Sequence, residues 1–338
     1  MNECLTCGLW KQLWCWLEDF SCRLQDSIVL KLILAICVAL LVVFNVYSGF
    51  AMANSCKRRS AEGDDGDGDH PRGTSRNLDC TLHVSPESYD YGWDRGPHTW
   101  NTPANNQSPI NIERNCLEIN YFNSPLVWCQ YNEVPLGIRL ENNGHTVILR
   151  ASFPGRPPSI DGGDLLGRFD FREISFRWSW TNSYGSEHTT DNRHSPLEMQ
   201  CLHTDAYQDG CTSSQGILMI SYLFEFSEDN PFLDVLVQHL VAVQQAGQAV
   251  EVPPFPLSYL MPAFYTKFYS YHGSLTEPPC HRGAEWWVHP PPLAISERQL
   301  NEFRQLRNRY GARIGRNARP VQPLEERSVY LNRYRTGF

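Results

Sequence analysis

Apolar and polar positions divide the chain into three stretches of different character. From Ile28 to Ala53 the side chains are apolar or small, with Lys31 as the one charge and an uninterrupted apolar run from Leu32 to Phe44. A helix needs about 20 apolar residues to cross a bilayer core. The stretch reaches that length once Ile28 and the small residues after Asn45 are counted. Residues 28–53 are therefore predicted to form a transmembrane signal anchor behind a tail of residues 1–27. A cleaved signal peptide fits less well, because the preceding segment is long, aromatic and carries Glu18 and Asp19. A buried core helix is the remaining alternative. Flanking cations barely orient the span: Lys11, Arg23 and Lys31 precede or begin it, and Lys57, Arg58 and Arg59 follow. The expectation adopted is an extracellular or lumenal globular part, although this count leans, if anywhere, towards the opposite orientation.

Residues 54–78 are predicted to be a flexible acidic linker. Its Ala61–Asp69 segment alternates Gly with Asp and has no apolar anchor to offset chain entropy. The rest, residues 79–338, has the patterning of one globular unit. Gly216–Phe226 is a long β-type apolar run, and Glu173–Trp180 alternates with period two. Phe232–Val243 after Asn230-Pro is predicted to be helical. So is Ser296–Arg307, with Ser296 as N-cap and Leu300, Phe303 and Leu306 on one face. Many strands and few helices imply an α+β, mainly β domain.

Composition narrows the function. Over 338 residues the chain is 41% hydrophobic and 20% charged, the balance of an ordinary globular protein. Its net charge of −8 argues against nucleic acid as a partner.

Five motifs then carry a resemblance: Gln107-Ser-Pro-Ile-Asn-Ile112, Asn142-Asn-Gly-His145, Gly185-Ser-Glu-His-Thr189, Gly273-Ser-Leu-Thr276 with Pro278-Pro279, and Arg319-Pro-Val-Gln-Pro-Leu324. In this order and spacing the chain resembles the α-type carbonic anhydrases from about Tyr89 to Tyr330. The resemblance implies a large, twisted, mostly antiparallel central sheet with peripheral helices, and a conical cleft with zinc at its floor. In that family three neutral imidazoles hold zinc, which lowers the pKa of a bound water to about 7.

All three ligand positions are changed here. The family's His-x-His pair falls on Ser175 and Arg177, and its third histidine on Gln200. A guanidinium has no lone pair to give and stays charged. Zinc is therefore predicted to be absent, no residue is expected to be catalytic, and the chain resembles the acatalytic carbonic anhydrase-related proteins.

The same resemblance assigns a vestigial site. Glu187 and Thr276 match the pair that orients the zinc-bound hydroxide, and His145 the proton shuttle. His188 and Glu198 match residues behind the ligands; Leu202, Met219 and Trp286 match the apolar wall of the cleft. Without a metal, His145 is expected to be a surface histidine. A buried Arg177 needs a partner, expected to be Glu187 or Glu198. Glu277, in place of a family threonine, is expected at the cleft mouth.

Of the cysteines after the linker, Cys201 and Cys211 are close enough to pair, and an even number is compatible with three disulfides. Cys280 follows Pro-Pro as in secreted relatives, but Thr102–Asn106 holds no cysteine to match the partner. The expected function is a membrane-tethered binding module for a protein partner. One alternative is a surviving zinc enzyme using His145, His188, His194 or His203, or a metal-free esterase. The other places function in the tail, whose Leu9–Leu17 is aromatic enough to lie on a membrane surface.

Overall fold

The computed structural model describes residues 89–206 and 216–335. The predicted tail, membrane span and linker all lie outside them, as does Cys211. No helix among the described residues is long and apolar enough to cross a membrane.

Among the described residues, fifteen strands build the domain. They are β1 (Asn111–Ile112), β2 (Glu118–Phe122), β3 (Leu126–Cys129), β4 (Gly137–Asn142), β5 (Val147–Ser152), β6 (Ser159–Gly162), β7 (Phe169–Trp178) and β8 (Thr189–Thr190). Then follow β9 (Arg193–His194), β10 (Leu197–Asp205), β11 (Ile217–Phe226), β12 (Ala249–Val252), β13 (Phe268–Ser274), β14 (Arg282–Ile295) and β15 (Tyr330–Tyr334). Ten lie in one path, β12-β4-β5-β7-β10-β11-β14-β13-β15-β2, with β3 and β6 joined to it through β7. Strands β1, β8 and β9 form a separate small sheet.

The large sheet is mostly antiparallel, as expected, but mixed. Strands β11 and β14 run parallel, as do β15 and β2. A parallel pair needs a long crossover. The chain between β11 and β14 provides it with helix α1 (Pro231–Val237), strands β12 and β13, and loops.

The central strands are buried on both faces, so their sequences read as near-continuous apolar runs. Alternation still sorts the side chains. Ile174, Phe176 and Trp178 of β7 and Cys201 of β10 enter one core with Leu218, Ile220 and Trp287. Leu202, Met219, Trp286 and Val288 enter a second core with Ile110, Ile112 and Tyr271. Ser175, Arg177, Glu198 and Gln200 alternate with residues of the first core. Period two therefore sends them to the same face as the second.

The predicted helix over Phe232–Val243 is two elements, α1 and a 3-10 turn at Leu240–Val243. Buried Val237, Leu240 and Val243 recur every third residue, which suits three residues per turn better than 3.6. Asn230 caps α1 through hydrogen bonds from the amides of Phe232 and Leu233. Helix α2 (Glu297–Phe303) starts at Ser296 in a capping box with Gln299, as its sequence implied.

The cysteines depart from the disulfide expectation. Cys129 is disulfide-bonded. Cys201 and Cys280 are buried free thiols, and Cys116 is an exposed one. The proposed Cys201–Cys211 bridge is not formed: Cys201 faces the first core, enclosed between β7 and β11.

Candidate functional site

Strands β7 and β10 pair antiparallel with Gln200 opposite Ser175 and Glu198 opposite Arg177. This register brings together the three positions where the family places its histidines. A metal would need lone pairs directed at one point. The hydroxyl of Ser175 instead accepts from Arg177 Nη1 at 3.3 Å. The amide of Gln200 turns its nitrogen to two carboxylates, donating to Glu187 Oε2 at 2.7 Å and Glu198 Oε1 at 2.9 Å. Between them stands a cation. This donor set does not fit zinc, and among the described residues no three His, Cys, Asp or Glu side chains gather as a metal-binding group.

Arg177 is 3% exposed, and its charge is met inside the protein. Nη2 donates to Glu277 Oε1 at 2.7 Å, and Nε lies 3.4 Å from Glu187 Oε1. Burial alone would weaken the protonated guanidinium. The Glu187 and Glu277 carboxylates outweigh that and hold its pKa above the ordinary arginine value.

The partner expectation needs correcting in one respect. Glu187 is an ion-pair neighbour, Glu198 is not, and the shortest contact is to Glu277. That residue is not a decoration of the cleft mouth. It is 7% exposed and turns inward from the loop between β13 and β14. The loop is closed by hydrogen bonds from Cys280 N to Glu277 O and from Leu275 N to His281 O. The sequence did carry a trace of this: an acid replaces the family's threonine in the same chain in which a cation replaces its histidine.

Glu187 and Glu198 are both fully buried but titrate in opposite directions. Burial raises Glu187 above the usual carboxylate value, and Arg177, the Thr276 hydroxyl and the Arg319 amide pull it back only in part. Burial also opposes ionisation of Glu198, but its donors win. Oε2 accepts from the amides of Glu187 and His188; Oε1 accepts from His188 Nδ1, Gln200 Nε2 and Ser221 Oγ. The His188 imidazole and these bonds pull Glu198 down to about 2. The relay continues outward: His188 Nε2 lies 2.7 Å from Tyr271 Oη, which donates to Ser108 Oγ at 2.9 Å.

His145 is also not the surface residue expected. It is buried, with the ring of Tyr89 stacked on it at 4.2 Å and 11°. The Tyr89 hydroxyl donates to Glu277 Oε2 at 3.1 Å, so one side chain covers the histidine and binds the acid beneath. Sequence reading missed Tyr89 because its partners lie far away in the chain. The wall positions Leu202, Met219 and Trp286 stand side by side on β10, β11 and β14 and are buried in the second core.

The remaining histidines are separately engaged. His194 Nδ1 lies 2.8 Å from the Ser186 carbonyl. His203 Nε2 lies 2.7 Å from Tyr131 Oη, with Nδ1 3.2 Å from the Cys201 carbonyl. Burial lowers His203 from 6.5 to about 4. Its folded value lies below its unfolded one, so the neutral ring contributes stability in full above pH 6.5. That contribution is lost as pH falls from there towards 4. The loss amounts to about 3 kcal/mol at one and a third kcal/mol per unit. Urea unfolding at pH 7 and at pH 4.5 is expected to show a drop of this order, shrinking to under about half in His203→Gln. Equal drops in both proteins would remove His203 as the cause. Glu198 acts lower, between its ordinary 4.5 and about 2. Glu187, raised by burial, acts above 4.5, where stability rises as pH falls and so offsets part of the His203 loss.

Comparison with known proteins agrees with this frame. The family model for eukaryotic-type carbonic anhydrase matches residues 93–333. Human carbonic anhydrase 7 is 29% identical over 255 residues, covering 71% of this chain and 96% of the relative. Human carbonic anhydrase 12 is 31% identical over 239 residues, 67% of this chain and 66% of the relative. A putative carbonic anhydrase 5 of Caenorhabditis elegans is 29% identical over 255 residues, 71% and 81% of the two chains. The match spans the sheet, both flanking loops and every position of the altered centre, and the chain belongs to the eukaryotic-type carbonic anhydrase family.

Proposed function

We propose that this chain is a carbonic anhydrase-related protein without carbon dioxide hydration activity, tethered to a membrane by residues 28–53. Its sheet serves as a binding module for a protein partner. One observation carries the loss of activity: a guanidinium stands at the metal position, neutralised by Glu187 and Glu277. A dication there would have to displace a buried charge already paired on two sides, at a large electrostatic cost. An extracellular or lumenal placement is in keeping with the disulfide at Cys129, since oxidising compartments preserve such bonds.

A surviving enzyme finds less support. His188 and His203 are hydrogen-bonded within separate networks, and His145 lies under Tyr89. The test is metal analysis of the purified full chain in detergent, with stopped-flow carbon dioxide hydration. Zinc far below one equivalent and hydration at the buffer rate are expected. One equivalent of zinc together with chelator-sensitive hydration would overturn the reading.

A further inference from the structure

Next to the stacked Tyr89 and His145 lies a cavity of about 280 Å³ to which neither Arg177 nor Glu277 contributes. Its wall carries Arg95, Arg309, Arg313 and Arg316 against a single carboxylate, Asp90. Two of these arginines are already engaged. Arg95 lies 3.5 Å from Asp90 and donates to Tyr310 Oη at 2.6 Å, and Arg309 donates to the same oxygen at 2.8 Å. Those two hydrogen bonds hold the Tyr310 phenol below its ordinary pKa. They fix a cationic rim with the aromatic ring between its members.

Arg313 and Arg316 differ. Neither takes part in an ion pair among the described residues. The Nε of Arg316 is buried and has no hydrogen-bond partner. No side-chain hydrogen bond or ion pair among the described residues engages either guanidinium, so both forks are left for an acceptor supplied from the cavity. The local sequence gives the same sign. From Phe303 to Leu324 there are six arginines and no acid, in a chain whose net charge is −8. Three of the six, Arg309, Arg313 and Arg316, line the cavity and make its wall positive on an acidic protein.

We propose that this cavity binds the phosphate or sulfate group of a monoester, with Arg313 and Arg316 as its ligands. Guanidinium forks match tetrahedral oxyanions through paired N–H donors. The cavity also has room for the first atoms of the group bearing the ester. The proposal is independent of whether zinc is bound elsewhere.

The test is calorimetric titration of the full chain in detergent at low salt with phenyl phosphate, phenyl sulfate and acetate. One of the two esters is expected to bind with one-to-one stoichiometry and at least about tenfold more tightly than acetate. Which ester binds tighter distinguishes a phosphorylated from a sulfated source. Arg313→Gln with Arg316→Gln is expected to weaken that binding by about tenfold or more. Phenylglyoxal labelling, read by mass spectrometry on the unsubstituted chain, gives a second measurement should the variant not fold. The tighter ester is expected to slow modification of Arg313 and Arg316 several-fold. No saturable ester binding, unchanged binding in a folded double variant, or unprotected labelling of both arginines would each overturn the proposal.

Discussion

Ser175→His, Arg177→His, Gln200→His and Glu277→Thr, made together, are expected to take the chain from negligible zinc to about one bound equivalent. The register already places the three side chains on one face, with position 200 opposite 175 and position 177 two residues along the same strand. Glu198 and Glu187 remain as carboxylates able to orient the new imidazoles, as outer partners do in metal sites generally. With free zinc at a hundred times the dissociation constant, the gain in stability is about 2.7 kcal/mol, readable as a rise in unfolding temperature. The fourth change matters because Glu277 reaches within 2.7 Å of the residue 177 side chain. Left in place without its cation, that carboxylate would compete for the open coordination position. The three histidine changes alone are therefore expected to bind zinc but to hydrate carbon dioxide more slowly than the fourfold variant. Absence of zinc from both variants, each shown to be folded, would mean that the assumed register of the site is wrong.

Glu277→Gln is the second large expectation. It leaves Arg177 in the interior with Glu187 at 3.4 Å as its remaining carboxylate. Removing one member of a buried ion pair typically costs about 3–5 kcal/mol, chiefly because the survivor is left under-compensated. Arg177→Leu is expected to cost a similar amount, by exposing Glu187 and Glu277 to each other without a cation. Replacing both members, as Arg177→Leu with Glu277→Leu, should cost less than the sum of the single changes. A coupling of roughly 2 kcal/mol in the double-mutant cycle is expected, within the range for contacting groups. Denaturant midpoints of the four proteins decide it. Additive single effects, or losses below about half a kcal/mol, would show that the pair is not what balances the buried charge.

The Arg177–Glu277 pair also explains how the floor between β7 and the loop after β13 is filled. A cleft floor without its ion would leave Glu187 buried with nothing opposite it. The guanidinium meets that carboxylate, and Glu277 then meets the rest of the guanidinium. Tyr89 completes the arrangement by bonding Glu277 and covering His145. His145, which the resemblance matched to a proton shuttle, is thereby part of a packed wall.

Much of this protein was determined by its sequence alone. A period-two pattern located β7 and a continuous apolar run located β11 to within a few residues, and Ser296 located the start of α2, because these features depend on neighbours along the chain. The resemblance assigned the three histidine positions to Ser175, Arg177 and Gln200 from motif spacing, without coordinates. Tertiary structure alone decided which acid meets Arg177. Glu277 is 100 residues away, and its inward turn depends on the closure of the loop after β13. It also decided that His145 is covered, that Cys201 faces the core as a free thiol, and that the distant Arg95 joins Arg309, Arg313 and Arg316 around one cavity. The physical reason is the same in each case. Local periodicity reports which face of a strand a residue occupies, whereas the partner of a buried charge is set by which loops the completed sheet brings over it.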